Sequence, residues 1–152
     1  NAKKKALAVA RATRCVTLAD DSGLEVAALG NAPGVRSARF AGRHGDDQAN
    51  NRKLLRLLGQ RMLAQRRARY RCVLALANPR HVLSTVQGTW EGRIALRPAG
   101  AQGFGYDPVF LVPRFGKTVG QLPFRVKQRL SHRAAAARRM LMVLRRLNAT
   151  SR

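Results

Sequence analysis

Tyr70-Arg71-Cys72-Val73-Leu74-Ala75-Leu76 is the stretch that decides the fold class. It opens with alternating apolar and polar residues, becomes continuously apolar, and reads as a strand. Asn78-Pro79-Arg80 breaks it, and His81 to Thr89 reads as a second strand, so the pair is expected as an antiparallel hairpin. Trp90-Glu91-Gly92-Arg93-Ile94 is expected to lead into a bend. Upstream, Cys15-Val16-Thr17-Leu18-Ala19 reads as a short buried strand that runs into Asp20-Asp21-Ser22-Gly23 and then Leu24-Glu25-Val26. Residues 2–12 place Ala6, Leu7, Val9 and Ala10 among basic residues, as an amphipathic helix does. Gly30-Asn31-Ala32-Pro33-Gly34 is turn chemistry. Asp46 or Asp47 can cap a helix to about Leu58, with Leu54, Leu55 and Leu58 inward and Gly59 just past its end. Downstream, Gly100 to Asp107 is a glycine-rich loop, and Pro108-Val109-Phe110-Leu111 is a short buried strand. A last helix starts near Ser131, with Leu130, Ala134, Ala137, Leu141 and Leu144 on one stripe. Helices and strands intermix, so the class is α/β, a mixed central sheet flanked by helices, with residues 1–152 as a single domain.

The chain has 152 residues and a formal net charge of +23, with Arg supplying 24 of the 30 basic side chains. Its 45% apolar content argues against disorder, because highly charged disordered chains are poor in hydrophobic residues. No apolar run approaches the roughly 20 residues of a membrane-spanning helix. Such a charge points first to a polyanion partner: nucleic acid, nucleotide or anionic membrane. Cys15 and Cys72 each sit in an apolar run without metal-ligand spacing, so both read as buried thiols in a reducing, cytoplasmic setting. The Lys3-Lys4-Lys5 run lacks the apolar stretch of a signal peptide. Asn1-Ala2-Lys3-Lys4-Lys5-Ala6 reads as helix interior, so the chain is expected to be processed or a fragment.

Three constellations carry candidate chemistry. Asp20 and Asp21 are adjacent carboxylates whose repulsion a divalent cation would relieve, and Mg²⁺ is normally bound through one or two carboxylates plus substrate phosphates. One carboxylate could also polarise an attacking water. The bland alternative is a turn, since Asp, Ser and Gly are turn residues. In Gly100-Ala101-Gln102-Gly103-Phe104-Gly105-Tyr106-Asp107-Pro108, Phe104 and Tyr106 could stack on a nucleobase and Asp107 could accept from a base edge. A hairpin-like loop with aromatic packing explains the same residues. Ser131 opens a helix whose first turn can hold an anion, with Lys127, His132 and Arg133 as added donors. The alternative is charge on a solvated face. Nucleotide-binding P-loop, serine-nucleophile and zinc signatures are absent from the sequence.

Read together and in order, these segments resemble the inosine/xanthosine triphosphate pyrophosphatase family. The segments are Ala19-Asp20-Asp21-Ser22-Gly23-Leu24-Glu25-Val26, Ala32-Pro33-Gly34-Val35-Arg36-Ser37-Ala38-Arg39-Phe40, Gly103-Phe104-Gly105-Tyr106-Asp107-Pro108-Val109-Phe110 and Ser131-His132-Arg133. Each alone is a weak signal, but the ordered set is specific and spans essentially the whole chain. The resemblance implies Mg²⁺-dependent hydrolysis of a deaminated purine nucleoside triphosphate to the monophosphate and pyrophosphate, by a homodimer. It implies Asp21 as proton acceptor and metal-linked carboxylate, Asp20 as its support and second metal carboxylate, and Ser22 as a substrate contact. It implies Phe104, Gly105, Tyr106 and Asp107 as the base-recognition loop, and Lys127, His132 and Arg133 as holders of the base and its 6-keto oxygen. Asn1 to Ala6 is similar to the family's Asn-Ala-x-x-Lys-Ala helix, which would turn Lys5 to the phosphates.

The family's first strand, its Thr-Gly-Asn-x-x-Lys phosphate loop and the acidic residue before that helix do not occur in this sequence. The resemblance therefore implies a chain lacking its first ~50 residues, a length judged from the family together with domain-size norms. An unpaired sheet edge, poor folding or inactivity is the corresponding expectation. The rival readings are a basic nucleic-acid-binding module and an inactive remnant of the same fold.

Overall fold

The computed structural model describes residues 1–150. Helix α1 (Ala2–Thr13) is followed by strand β1 (Thr17–Val26), the two-residue strand β2 (Pro33–Gly34) and helix α2 (Asp47–Leu58). Strands β3 (Arg67–Ala77) and β4 (Val82–Ile94) come next, then β5 (Phe110–Val112) and β6 (Lys117–Thr118). Helices α3 (Phe124–Leu130) and α4 (His132–Thr150) end the chain. The six strands form one sheet in the order β2-β1-β3-β4-β5-β6. β1 pairs antiparallel with β2 (Leu24 opposite Gly34), β4 with β5 (Ile94 opposite Phe110), and β5 with β6 (Leu111 opposite Thr118). The outer strands are short: β2 pairs with Leu24 and Glu25 alone of the ten-residue β1, and β5 with Arg93 and Ile94 alone of the thirteen-residue β4, which agrees with the expected unpaired sheet edge. The α/β class with a central sheet and flanking helices is the one expected from the sequence.

The described residues group into two compact units. The first holds residues 1–22, 71–89 and those from 131 onward, and the second holds 23–70 and 90–130. Within the first unit the continuous apolar run of β3 has a physical cause, because successive side chains of a strand point to opposite faces. Val73, Ala75 and Ala77 meet Ala2, Ala6 and Ala10 of α1. Cys72, Leu74 and Leu76 meet Ala136 and Met140 of α4. Both faces are covered, so neither set is polar.

In the second unit Leu54 and Leu58 of α2 join Leu24, Val26, Tyr70, Trp90, Ile94 and Phe110 in the core. Phe110 stacks at a tilt on Tyr70 (4.4 Å between ring centroids) and on Trp90 (5.9 Å). Arg66 is a buried cation met by carbonyls, its guanidinium donating to Arg61, Ala95 and Gly59.

Several local expectations change. β1 does not stop at Ala19 but runs on to Val26, so Asp20-Asp21-Ser22-Gly23 lies inside a strand and is no turn. Cys15 lies before β1 and is exposed, as are Val16 and Leu18, while Cys72 is buried. Val9 of α1 is exposed, because the buried stripe is the alanine one. β4 continues through Trp90 to Ile94 instead of bending, and β5 starts at Phe110. Asp46, not Asp47, caps α2, accepting from the Ala49 N–H at 2.9 Å.

Helix α3 went unnoticed in the sequence. On α4 the inward stripe is His132, Ala136 and Met140; Leu141 and Leu144 face solvent. The cause lies in β4: a Cβ on Gly88 would overlap the His132 carbonyl and stand 2.5 Å from the Ala136 nitrogen. The helix backbone sits directly on the strand there, and only small residues fit at the contact. Among the described residues, no helix is long and apolar enough to cross a membrane.

Candidate active site

In the first unit, extended β1 sends Asp20 and Asp21 to opposite faces of the sheet. The two carboxylates are neighbours in sequence only, and each finds its own cation. Asp21 Oδ1 accepts from Lys5 Nζ of α1 at 2.7 Å. Lys5 also reaches the Asp20 carbonyl at 3.4 Å. Asp20 turns to the face covered by α4. Its Oδ2 accepts from Arg133 Nε at 3.1 Å and from Cys72 Sγ at 3.4 Å, and its Oδ1 accepts from Ser22 Oγ at 2.8 Å. Burial pushes the Asp20 carboxyl up. The Ser22 hydrogen bond, the Arg133 charge and the remaining donors outweigh it and hold the carboxyl below its usual value. Ser22 therefore shares the Asp20 face and not the Asp21 face. Ser131 caps α4 by accepting from the Ala134 N–H at 3.1 Å, and the buried His132 begins the helix.

The second unit carries the glycine-rich loop. Asp107 is buried and its carboxylate is engaged on every side. Oδ2 accepts from the Phe104 N–H at 2.9 Å and from Lys127 Nζ, and Oδ1 accepts from Tyr70 Oη at 3.2 Å. Asp107 thus organises the loop, and its oxygens are not turned out to a base edge. Gly103 is required here, with φ +84° and a Cβ position inside the Asp107 carboxylate. The two aromatic residues part company. Tyr106 is buried and donates to the Ser37 carbonyl at 2.9 Å, and burial, helped by the Asp47 charge, raises its hydroxyl pKa. Stacking on a base is closed to it. Phe104 is 60% exposed, and Lys127 Nζ lies 4.0 Å from its ring centroid.

Sequence reasoning missed two side chains at this loop. Gly105 donates its N–H to Asp47 Oδ2 at 2.6 Å and accepts at its carbonyl from Asn51 Nδ2 at 3.0 Å. Their i, i+4 spacing on α2 was the available signal, hidden by reading both aspartates only as candidate caps.

Of the residues predicted from sequence, Lys5, Asp20, Asp21, Ser22, His132 and Arg133 lie in the first unit. Phe104, Gly105, Tyr106, Asp107 and Lys127 lie in the second. Among the described residues no group of three or more His, Cys, Asp or Glu side chains could hold a metal ion alone. A Mg²⁺ that takes one or two protein carboxylates and completes its shell with phosphate and water needs no such group. Asp21 fits that donor set. Asp20 fits it poorly, since three donors already engage its carboxylate.

Residues 1–143 match the Ham1 family. The chain is 50% identical over 147 residues to the dITP/XTP pyrophosphatase of Desulforamulus reducens, covering 97% of this chain and 73% of that protein. It is 47% identical over 144 residues to the dITP/XTP pyrophosphatase of Bacillus subtilis, covering 95% and 73%. Among solved structures, the Ham1 protein of Staphylococcus aureus superposes with a TM-score of 0.87 at 42% identity, covering 93% of this chain and 72% of that one. A HAM1 protein from Coxiella burnetii gives 0.86 at 40%, covering 95% and 75%.

Proposed function

The chain belongs to the Ham1 family, and on that premise we propose that it hydrolyses deaminated purine nucleoside triphosphates (ITP, dITP, XTP) to the monophosphate and pyrophosphate. The observation that carries this reading in the chain itself is the exposed Phe104 ring with the Lys127 ammonium 4.0 Å from its centroid. A purine stacks on the ring, and the ammonium donates to a 6-keto oxygen. Adenine presents an amino donor at that position and would leave the ammonium badly paired, which is how a polar site discriminates strongly. His132 and Arg133 are read as further holders of the base. Gly105, Tyr106 and Asp107 shape the loop rather than touch the ring.

Asp21 is read as the group that accepts the proton of the attacking water, and Lys5, its ion-pair partner, as a contact for the phosphates. Asp20 is read as the residue that orients Arg133, with Ser22 bracing it. Mg²⁺, held by Asp21 and the substrate phosphates, would neutralise phosphate charge when bound. A homodimer and a cytoplasmic setting belong to the same reading, the latter supported by two free thiols.

Pyrophosphate release from inosine, xanthosine and adenosine triphosphates with Mg²⁺ tests the proposal. The keto purines are expected to be hydrolysed preferentially, and equal rates on all three refute the specificity. Activity retained by Asp21→Asn refutes the assigned proton acceptor.

A further inference from the structure

We infer that Asp47 and Asn51 of α2 are positioning residues that hold the Phe104–Asp107 segment in its base-accepting shape by gripping both polar atoms of the Gly105 peptide backbone. The inference rests on the reading of Phe104 and Lys127 as the base site.

Among the polar side chains in the first turn and a half of this helix or its cap, Asp46, Asp47, Asn50 and Asn51 divide the labour. Asp46 caps the helix itself. Asn50, four residues on, accepts from the Ala41 N–H at 2.7 Å and so ties down the preceding turn. Asp47 is left free of capping duty and reaches a residue 58 positions away. Asn51, one turn further on the same face, reaches the same residue. A carboxylate takes the one Gly105 donor, and an amide nitrogen serves its acceptor. Gly105 lies between Phe104, whose ring is presented to solvent, and Tyr106, whose hydroxyl is anchored on Ser37. With the Tyr106 side pinned, a rotation of the Gly105 backbone would strain the Phe104 N–H bond to Asp107 and with it the setting of the Phe104 ring.

Asn51 supplies a second and independent sign. It is 8% exposed, and its Oδ1 is buried without a hydrogen-bond partner among the described residues. A buried unpaired carbonyl oxygen destabilises a fold, and an apolar side chain of similar size would remove that penalty. Stability alone does not explain an asparagine at this place. Its amide nitrogen on Gly105 does.

The test uses the whole chain and inosine monophosphate as the probe. Calorimetric affinity is measured for the wild type, Asp47→Ala, Asp47→Asn, Asn51→Leu and Phe104→Ala. Hydrogen exchange of the peptide spanning residues 103–107 is followed without ligand. Asp47→Ala and Asn51→Leu are each expected to weaken binding about tenfold, the loss of one strong hydrogen bond. They are also expected to speed exchange in that peptide while leaving the β3 and β4 peptides protected. Asp47→Asn keeps an acceptor and should rescue most of the affinity. Asn51→Leu relieves the unpaired Oδ1 and orphans the Gly105 carbonyl, two effects that oppose each other, so its melting temperature should change little while binding falls, a split that a merely structural residue would not produce. Wild-type affinity in both α2 variants, with Phe104→Ala weakened, overturns the positioning role and leaves the base site standing. Unchanged binding by Phe104→Ala, or no binding by the wild type, overturns the base site and the inference with it.

Discussion

Gly88→Ala isolates the contact that sets the phase of α4. The added Cβ would overlap the His132 carbonyl oxygen and stand 2.5 Å from the Ala136 nitrogen and 3.0 Å from the Ala135 Cβ. Both polar atoms belong to helix backbone, so no side chain can rotate away. The nearest of these contacts, to the His132 carbonyl oxygen, is 2.1 Å, so the first turns of α4 must lift from β4 by about 1.3 Å to reach the 3.4 Å of an ordinary contact. Overpacking in a close-packed interior costs typically about 1–3 kcal/mol, and a rigid helix backbone as the obstacle puts this case at the upper end, about 3 kcal/mol. For a domain of this size that lowers the melting temperature by about 6–12 °C.

The lift also acts on the site. Arg133, in the first turn of α4, holds Asp20 at 3.1 Å, and a displacement of that size takes the pair beyond hydrogen-bond distance. Calorimetric melting measures the first effect. Hydrolysis of inosine triphosphate, or binding of its monophosphate, measures the second at a temperature where the variant is fully folded. A Gly88→Ala variant that melts within 2 °C of the wild type, on the scale of about 2–4 °C per kcal/mol, would refute the close-approach argument and the placement of the helix stripe with it.

Two further outcomes are expected. Lys127→Met leaves the buried Asp107 carboxylate without its cation and should cost about 3–5 kcal/mol in a denaturant titration; Asp107→Asn in the same chain should recover part of the loss, and a change under 1 kcal/mol, small beside that range, counts against the buried pair. Native chain treated with iodoacetamide near neutral pH should be labelled at the exposed Cys15 and not at Cys72. Burial pushes the Cys72 thiol up to about 11, with the Asp20 charge adding to it against Ser22 and Arg133. The folded value lies above the unfolded 9.0, so the stability it contributes is complete below pH 9 and is lost as the pH rises through about 11. Equal labelling of both cysteines contradicts this.

Periodicity made the elements legible where a residue's partner lay on the same element or the next. The β3–β4 hairpin and the α2 boundaries could be read that way. The errors fall where the deciding partner is remote in sequence. Asp20-Asp21-Ser22-Gly23 has the composition of a turn and forms strand, its acids taken up by the remote cations Lys5 and Arg133 and the strand running on to buried Leu24 and Val26. Reading it as a carboxylate pair overlooked the period of two, which separates the acids across the sheet. The two loop aromatics look equivalent in sequence, yet the Ser37 carbonyl claims Tyr106 and leaves Phe104 open. Leucines suggested the stripe of α4, but Gly88 on another element selects Ala136 in their place. Asp47 and Asn51 carried a visible spacing, but nothing local to α2 names Gly105 as their target.

The charge of +23 has a different meaning once the acids are located. Of the seven acidic residues, Asp20, Asp21, Glu25 and Asp107 are ion-paired with Arg133, Lys5, Arg69 and Lys127. Asp46 caps α2, and Asp47 holds Gly105. Six acids thus have assigned tasks, and three of the four ion pairs include a cation proposed to touch substrate. The net charge is large because only seven acids stand against 30 basic side chains, and the acids that exist are mostly committed to these tasks. The positives that matter to a nucleotide are those that an acid orients, since an oriented ammonium or guanidinium is already placed for its hydrogen bond while a solvated one must be ordered first. By that criterion Lys5, Lys127 and Arg133 stand apart from the exposed Arg97, Arg114 and Arg125. On the proposed function, the scarce carboxylates serve selectivity by orienting Lys5, Lys127 and Arg133, and the abundant arginines would set the long-range field in which a polyphosphate approaches.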